Sequence, residues 1–266
     1  MNTLRKPRLK STVVSVAVET FFSASRLYDE SMVEVERAGP LARIFLNRPE
    51  KANALNSAML TELGAAVRSL AGEELRAAVL SARGKTFCGG ADTAELKSLT
   101  PANAGAFVEK IHDVCQAIRA LPVPVLAQMH GAVIGAGLEI AAACDLRVAA
   151  EGTKFAMPEV RLGIPSVVEA ALLPRLMGSG RAAWLVLTGE AIDARRALEW
   201  GLIEEVSPDV DLAAQKLVKS LVAGSAEALR EQKRLLQLWE EAPLATAVAA
   251  SIEAFRRTTI SSTERG

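Results

Sequence analysis

Through the first two thirds of the chain, short continuous runs of apolar residues alternate with segments in which apolar residues recur at helical spacing. Residues 41–46 and 77–81 are short, continuous apolar runs, which are typical of buried strands. Each run is followed by apolar residues at helical spacing, at 57–70 and at 101–120. Further strands are predicted at 32–36, 123–129 and 154–157, and a short helix around Glu95. Strands and helices that alternate in this way favour an α/β core.

The last third of the chain is predicted to be almost entirely helical. Glycines and prolines separate its helices, which we place at 167–177, 180–188, 193–200, 211–223, 225–239 and 243–257, with one short strand at 202–206. The pattern therefore divides the chain into an N-terminal extension (residues 1–31), an α/β core (32–200) and a C-terminal helical region (201–266).

The segment 130–159 carries the strongest chemical signal. Its Gly-Ala-Gly turn at 135–137 permits close backbone approach and opens an apolar helix, in which Glu139 is the only charged residue. Because a buried charge without a partner is costly, we expect Glu139 to have a raised pKa or a specific partner. A second carboxylate, Glu159, follows a short strand. We expect the two glutamates to face one ligand, one as base and the other as acid.

A second glycine-rich turn, Gly89-Gly90-Ala91-Asp92, also follows a strand and opens a helix. The first turn of a helix has N–H groups without partners inside the helix. Two such N–H groups that point at one oxygen would form an oxyanion hole. The alternative is that these glycines only permit tight packing.

The two glutamates also have alternative explanations. Glu139 could form a salt bridge with Arg147 or Arg161, and Glu159 could be an ordinary loop or cap residue. The Gly-Ala-Gly turn also imitates a dinucleotide-binding turn, with Glu159 at the place of a ribose-binding acid. That match is weak because Ile140 stands where the third glycine is needed.

Composition excludes several classes of function. The 31 basic and 31 acidic residues leave no net charge and aromatic residues are scarce, so we expect neither nucleic acid nor a membrane surface as partner. No apolar run reaches the roughly 20 residues needed to cross a bilayer. Two histidines and three widely spaced cysteines predict neither a metal site nor disulfides. Cys88 is expected to be an inert small hydrophobe, and His130 a hydrogen-bonded structural residue.

Residues 1–31 differ from the rest of the chain in being basic, rich in hydroxyl groups and poor in acids. This composition fits a transit peptide. The alternative is an unstructured extension, or a start codon placed before the true start at Met32. Because the cysteines fit a reducing compartment, we expect a cytoplasmic protein, or a mitochondrial one if the segment is a transit peptide.

Five segments resemble the crotonase superfamily, the enoyl-CoA hydratases and isomerases. They are NRPEKANALN at 47–56, GKTFCGGADTAEL at 84–96, HGAVIGAGLEIAAACDLRVAAE at 130–151, FAMPEVRLGIP at 155–165 and LTGEAIDARRALEWGLIEEV at 187–206. They follow the family's order and spacing over roughly residues 32–257. The resemblance implies a spiral of repeated β-β-α units whose C-terminal helices build homotrimers or dimers of trimers. It also implies acyl-CoA thioester substrates and no metal or redox cofactor.

The resemblance also assigns roles to residues. The family's oxyanion-hole N–H groups fall on Ala91 and Ala136, and its two hydratase glutamates fall on Glu139 and Glu159. Its CoA-binding strip corresponds to Lys51, Ala52, Ala54, Ala91, Asp92, Thr93 and Ala94. The implied reaction is hydration of a 2-enoyl-CoA, in which the Glu139 carboxylate deprotonates water and Glu159 protonates the α-carbon. The alternatives are isomerisation or other enolate chemistry of acyl-CoA, and a non-catalytic CoA-binding or scaffold subunit.

Several departures from the family pattern concern ligand binding. Met157 stands where the family often has Gln. Residues 166–170 read Ser-Val-Val-Glu-Ala, where many hydratases have Gly-Ala-Gly-Gly-Thr. This bulkier segment adds a third acid, Glu169, and suggests an altered or smaller acyl group. A basic residue that commonly helps to hold the CoA phosphate in the family's last helix has no counterpart before Gly266.

Overall fold

The computed structural model describes residue 18, residues 31–72 and residues 74–257. The strands are β1 (Val33–Ala38), β2 (Leu41–Leu46), β3 (Ala77–Ala82), β4 (Val125–Met129), β5 (Ala132–Ile134), β6 (Leu146–Ala150), β7 (Lys154–Ala156), β8 (Ile192–Asp193) and β9 (Glu205–Ser207). The helices are α1 (Ser57–Ser69), α2 (Thr93–Ser98), α3 (Ala104–Ala120), α4 (Ala136–Ala143), α5 (Leu173–Met177), α6 (Ser179–Thr188), α7 (Ala194–Trp200), α8 (Val210–Ala223), α9 (Ala226–Glu241) and α10 (Leu244–Arg257).

Six strands form the main sheet, in the order β1-β2-β3-β4-β6-β9. β1 and β2 are an antiparallel hairpin, and every other neighbouring pair in this sheet is parallel. β2 and β3 are buried along their whole length, which explains their continuous apolar sequences. β5, β7 and β8 form a smaller sheet, in which β5 and β7 run parallel.

Hydrophobic clusters cover both faces of the main sheet. In β3, Leu80 and its alternate neighbours belong to the large cluster under α1 and α3, whereas Val79 belongs to a second cluster with α8. Val18 is fully buried in this second cluster. The other predictions for residues 1–30 and those for the chain end after residue 257 lie outside the described residues.

The structure confirms most predicted elements and moves a few boundaries. The predicted helix 167–177 is a 3-10 turn at Val168–Leu172 followed by the short helix α5. Pro174 lies in the first turn of α5, where its missing N–H is tolerated, so α5 begins there. The predicted strand 202–206 is shorter and later, at Glu205–Ser207, and the helix predicted at 101–120 begins at Ala104.

Candidate active site

The Gly-Ala-Gly turn connects β5 directly to α4. Gly135 has a φ of +51°, a left-handed conformation that favours glycine, and its N–H donates to the carbonyl of Ala156 at 2.9 Å. A Cβ at this position would collide with Oε1 of Glu159. Only glycine therefore lets the Glu159 carboxylate lie against the backbone immediately before Ala136. Among the residues that the structure describes, no side chain caps the N-terminus of α4, which makes this backbone available to a ligand.

The glycine-rich turn at 89–92 comes first in the chain and is called the first turn below; the Gly-Ala-Gly turn at 135–137 is the second turn. The first turn is built differently. Asp92 is the N-cap of α2, and its carboxylate accepts from the N–H groups of Ala94 at 2.8 Å and Glu95 at 3.4 Å. The guanidinium of Arg48 lies 2.5 Å from the same carboxylate. The hydrogen bond from Arg48 holds the pKa of Asp92 below its usual value, so Asp92 is a charged cap.

Backbone hydrogen bonds hold the two turns against each other. The N–H of Cys88 donates to Ala132 at 3.0 Å, and Ile134 donates back to the carbonyl of Cys88 at 3.0 Å. A Cβ on Gly137 would lie 2.5 Å from the Cβ of Cys88 and 2.7 Å from its Sγ. Gly137 therefore permits a contact between the turns that a larger residue would block.

The two predicted oxyanion-hole residues lie close in sequence to this contact, because a Cβ on Gly90 would lie 3.1 Å from the carbonyl oxygen of Ile134. Ala91 forms a parallel bridge with Leu55, in which the N–H of Leu55 donates to Gly90 and the N–H of Asp92 donates to Leu55. In this pairing the N–H of Ala91 points away from Leu55. Within the described part of the chain, neither Ala91 N–H nor Ala136 N–H donates a backbone hydrogen bond.

Glu139 is buried in the first turn of α4, with 4% of its surface exposed. Burial, followed by the charges of Glu159 and Glu169, raises the pKa of Glu139 to about 8. The salt bridges considered as alternatives are not formed, because Arg147 pairs with Glu204 and Arg161 with Glu190. Burial therefore favours the protonated form of Glu139, whereas backbone N–H groups of Val167 and Ala170 favour its carboxylate; the base role that the family resemblance implied stays a prediction.

Glu159 begins a 3-10 turn, Glu159–Leu162, that follows β7. Its Oε1 faces Gly135, and its Oε2 accepts a hydrogen bond from the Ser166 hydroxyl at 3.0 Å. Glu159 thus has a defined position beside the Gly-Ala-Gly turn, and its role in the site stays a prediction. Ser166 was missed as a site residue. Only its place after Pro165, in a segment that departs from the family pattern, could have singled it out.

Glu169 is the third acid of the site, with 4% of its surface exposed. Its Oε1 accepts from Nδ1 of His112 at 2.8 Å and from Nε2 of Gln116 at 3.1 Å. His112 and Gln116 are exposed residues on α3, and no sequence pattern singled them out. The other oxygen, Oε2, is buried and has no hydrogen-bond partner among the described residues.

The predicted CoA-binding residues all line one cavity of about 500 Å³. It is lined by Arg48, Lys51, Ala52, Ala54, Asn56, Gly89, Ala91, Asp92, Thr93, Ala94 and Glu95. Arg48 was not predicted. It adds a second basic side chain beside Lys51, and both can face an anionic ligand. Ala91, one of the two predicted oxyanion-hole residues, is part of the lining of this cavity.

Two further interpretations from the sequence are confirmed. Burial raises the pKa of the Cys88 thiol to about 12, and its Sγ lies 3.2 Å from the carbonyl of Asn53, so Cys88 is an unreactive packing residue. Nε2 of His130 lies 3.0 Å from the carbonyl of Gly84, as expected for a structural histidine. Across the described segments, no helix is both long enough and apolar enough to span a membrane.

The geometry defines an α/β protein in which the buried Glu139 and the half-buried Glu159 lie beside a helix N-terminus that no described side chain caps. A family model described as enoyl-CoA hydratase/isomerase matches residues 36–266. The chain belongs to this family.

Individual relatives agree with this assignment. The short-chain-enoyl-CoA hydratase of Clostridium acetobutylicum is 33% identical over 228 residues, covering 84% of this chain and 87% of that protein. The enoyl-CoA isomerase/hydratase fer4 of Mycosarcoma maydis is 33% identical over 215 residues, covering 76% and 78%. The crystal structure of an enoyl-CoA hydratase from Mycobacterium smegmatis superimposes with a TM-score of 0.83 at 32% identity, covering 85% and 90%. The predicted crotonase-like fold is confirmed.

Proposed function

We propose that the chain is an enoyl-CoA hydratase, which adds water across the 2,3 double bond of a 2-enoyl-CoA thioester. The observation that carries the proposal is the position of the Glu159 carboxylate, against Gly135 and next to the free N–H of Ala136. Glu139 lies three residues further along the same helix, within one turn of Ala136. A thioester carbonyl at Ala136 would therefore have both acids near its α and β carbons.

In this mechanism the thioester oxygen accepts hydrogen bonds from the N–H groups of Ala91 and Ala136. These donors stabilise the enolate-like charge of the transition state, and one donor of this kind contributes roughly 3 kcal/mol. The CoA portion lies in the cavity that contains Arg48, Lys51 and Asp92. No metal or redox cofactor is needed for this chemistry.

The raised pKa of Glu139 supports a division of roles between the acids. Glu159 accepts a hydrogen bond from the Ser166 hydroxyl. It orients a water molecule and takes a proton from that water during attack on the β-carbon. Glu139 is protonated below pH 8 and donates toward the α-carbon. The family resemblance implied the reverse assignment, and the burial of Glu139 is the reason for changing it.

Incubation with crotonyl-CoA and with longer 2-enoyl-CoAs tests the proposal directly. We expect loss of the conjugated thioester absorbance with at least one chain length, and a 3-hydroxyacyl-CoA as product. Isothermal titration with CoA runs in parallel. If CoA binds but no 2-enoyl-CoA is hydrated, hydration is not the activity of this chain.

Isomerisation of a 3-enoyl-CoA is the second candidate. It is favoured by the raised pKa of Glu139, because one carboxylate that acts as base, here Glu159, suffices to move a proton within the substrate. The relative fer4, at 33% identity, is named as both isomerase and hydratase. Conversion of a 3-enoyl-CoA to its 2-enoyl isomer, faster than hydration of that isomer, would favour this candidate.

A non-catalytic CoA-binding or scaffold subunit is the third candidate, and it predicts no turnover of either substrate. A thermal-shift titration separates a scaffold from the two enzymes, since both enzymes need the CoA cavity. No shift at millimolar CoA would favour a scaffold that acts through its C-terminal helices.

We also propose that the chain assembles as a homotrimer or a dimer of trimers. α9 and α10 carry a row of exposed apolar side chains, Leu236, Trp239, Leu244, Val248, Ile252 and Phe255. An apolar surface of this kind is typical of an interface. Light scattering after size exclusion should give three or six subunits, and the double variant Trp239→Glu/Phe255→Glu should release monomers. A monomeric wild-type protein at micromolar concentration would contradict the proposed assembly.

A further inference from the structure

The segment from Ser166 to Ala170 has a strained backbone. Val168 has a φ of +38°, in a region that β-branched residues rarely adopt. Among the described residues, no side chain caps the 3-10 turn Val168–Leu172 that begins there. A conformation of this kind persists only where the surrounding structure maintains it. The shape of this segment therefore depends on its contacts with other elements, and its 3-10 turn packs against α3 and α4.

Glu169 makes polar contacts between this segment and α3. Its Oε1 accepts from Nδ1 of His112 at 2.8 Å and from Nε2 of Gln116 at 3.1 Å. Burial raises the pKa of the Cys115 thiol, and the charge of Glu169 and a hydrogen bond with it raise that pKa further. The three α3 residues are spaced by three and four positions, so they lie on one face of the helix. One helix face therefore holds one carboxyl group.

The Glu169 carboxyl is shielded from water, although the residues that hold it reach the surface. The side chain of Glu169 is 5% exposed, whereas that of His112 is 48% exposed. Hydrogen bonds are stronger where water is excluded, so these contacts hold the segment more firmly than an exposed pair would. The exposed residues His112 and Gln116 can also be replaced without opening the hydrophobic core.

The start of the same segment contacts Glu159. The Ser166 hydroxyl donates to Oε2 of Glu159 at 3.0 Å, while Oε1 of the same carboxyl faces Gly135. Ser166 precedes Glu169 by only three residues. A change in the way α3 holds Glu169 is therefore transmitted to the Ser166 hydroxyl through a short stretch of backbone.

We propose that Glu169 is a positioning residue, held by His112 and Gln116, which keeps the Ser166 hydroxyl directed at Glu159 during hydration. Glu169 transfers no proton in this role and contacts neither the substrate nor the attacking water. Its effect on the rate arises from the fixed orientation of Glu159, since a small misplacement of a catalytic group lowers the rate strongly. This inference rests on the proposed function.

The first test measures hydration kinetics of the full-length protein with its best 2-enoyl-CoA substrate. Glu169→Ala removes the acceptor of both α3 side chains, so kcat should fall about 10- to 100-fold, with KM within about twofold of wild type. KM is expected to stay because residues 166–170 do not line the CoA cavity. Glu169→Gln keeps an oxygen that can accept the same hydrogen bonds, and should restore kcat to within about threefold of wild type.

A double-variant cycle separates positioning from packing. Ser166→Ala should lower kcat several-fold when Glu169 is present. In Glu169→Ala the hydroxyl is no longer directed at Glu159, so adding Ser166→Ala should lower kcat by less than about twofold more. If Ser166→Ala has the same effect in both backgrounds, Glu169 does not act through Ser166 and the proposal is overturned.

Glu204→Ala is the matched control for the loss of a carboxyl that joins two elements. Glu204 accepts from the backbone N–H of Arg147 at 2.5 Å and from its guanidinium at 2.7 Å, and it does not line the CoA cavity. This variant should lower the melting temperature and leave kcat unchanged. Equal losses of kcat in Glu204→Ala and Glu169→Ala, at equal losses of melting temperature, would mean that Glu169 only stabilises the fold.

A second variant covers the case in which Glu169→Ala does not fold. His112→Ala/Gln116→Ala replaces two exposed side chains and removes the donors to Oε1 of Glu169. It should lower kcat and suppress the effect of Ser166→Ala in the same way. An undiminished effect of Ser166→Ala in this background would overturn the proposal.

Hydrogen–deuterium exchange provides a measurement that does not need turnover. A peptide that covers residues 164–172 should exchange about tenfold faster in Glu169→Ala than in wild type, and at the wild-type rate in Ser166→Ala. Faster exchange in a protein whose wild type hydrates no 2-enoyl-CoA would refute the proposed function and support the anchoring of the segment. Hydration by wild type, with the same exchange in Glu169→Ala, would overturn the present inference alone.

Discussion

The two glycine-rich turns of the site both connect a strand to a helix. They differ in whether a side chain accepts hydrogen bonds from the first N–H groups of that helix. At the first turn the carboxylate of Asp92 occupies the N-terminus of α2, and Arg48 neutralises it. At the second turn no side chain of the described segments occupies the N-terminus of α4, and Glu139 is buried inside its first turn. The first turn, in which Gly89 is exposed and Asp92 is buried, is a charge-balanced surface suited to binding. The second is an uncapped, dry surface suited to chemistry, because donors act more strongly where water is excluded.

Loss of the acid at the second turn should have the largest effect. Glu159→Gln should lower kcat for crotonyl-CoA by roughly 10²–10⁴, because the base that takes a proton from water is removed. CoA affinity should remain, since the CoA cavity belongs to the first turn. The matched control Ser166→Ala keeps the carboxylate and removes only its hydroxyl donor, so kcat should fall less than about tenfold. A rate similar to wild type in Glu159→Gln would remove the proposed role.

The pH dependence of stability tests the burial of Glu139. Its pKa is raised in the folded protein, so its contribution to stability is fully present below its unfolded pKa, about 4.5, and is lost as the pH rises through about 8. Glu139→Gln should therefore be more stable than wild type at pH 9, by up to roughly 4 kcal/mol, and similar to it at pH 5. Urea unfolding at one protein concentration measures this. Glu190→Gln, at an exposed site, should show no such difference between the two pH values.

The contact between the turns can be broken by one methyl group. Gly137→Ala places a Cβ 2.5 Å from that of Cys88, so the turns must separate. We expect a loss of about 1–3 kcal/mol in the free energy of unfolding, and a lower kcat. Gly105→Ala is the control, because a Cβ there meets nothing within 4 Å in the first turn of α3. Equal behaviour of the two variants would mean that close contact between the turns is not needed.

The smallest effect is expected at the first turn. Asp92→Ala removes the cap of α2 and should cost about 1 kcal/mol of stability. It should raise KM for acyl-CoA, because Arg48 loses its partner in the cavity, and leave kcat nearly unchanged. The control is Asp193→Ala, which removes the equivalent cap of α7 away from the site. That variant should lose similar stability without a change in KM. A changed kcat in Asp92→Ala would make the two turns less distinct than we propose.

Much of this site could be predicted because its parts are local. The helix that begins after Asn56 and the cap at Asp92 follow from side chains that bond to N–H groups two or three residues ahead. The glycines of both turns were also visible, since only glycine permits such close backbone contact. β6 and the three-residue strand β5 were not predicted, because such short pieces are defined by pairing with distant strands.

The sequence by itself determined the α/β class, the two turns and the pair of acids, because these depend on residue type and on spacing within a few positions. The tertiary structure decided the environment of Glu139 and the direction in which its pKa moves. The pKa of Glu139 depends on burial and on charges 20 and 30 residues further along the chain, at Glu159 and Glu169. The tertiary structure also places His112, which is 57 residues from Glu169 in the sequence, in hydrogen-bond contact with Glu169. Electrostatic interactions act through space, so their partners cannot be read from neighbours in the chain.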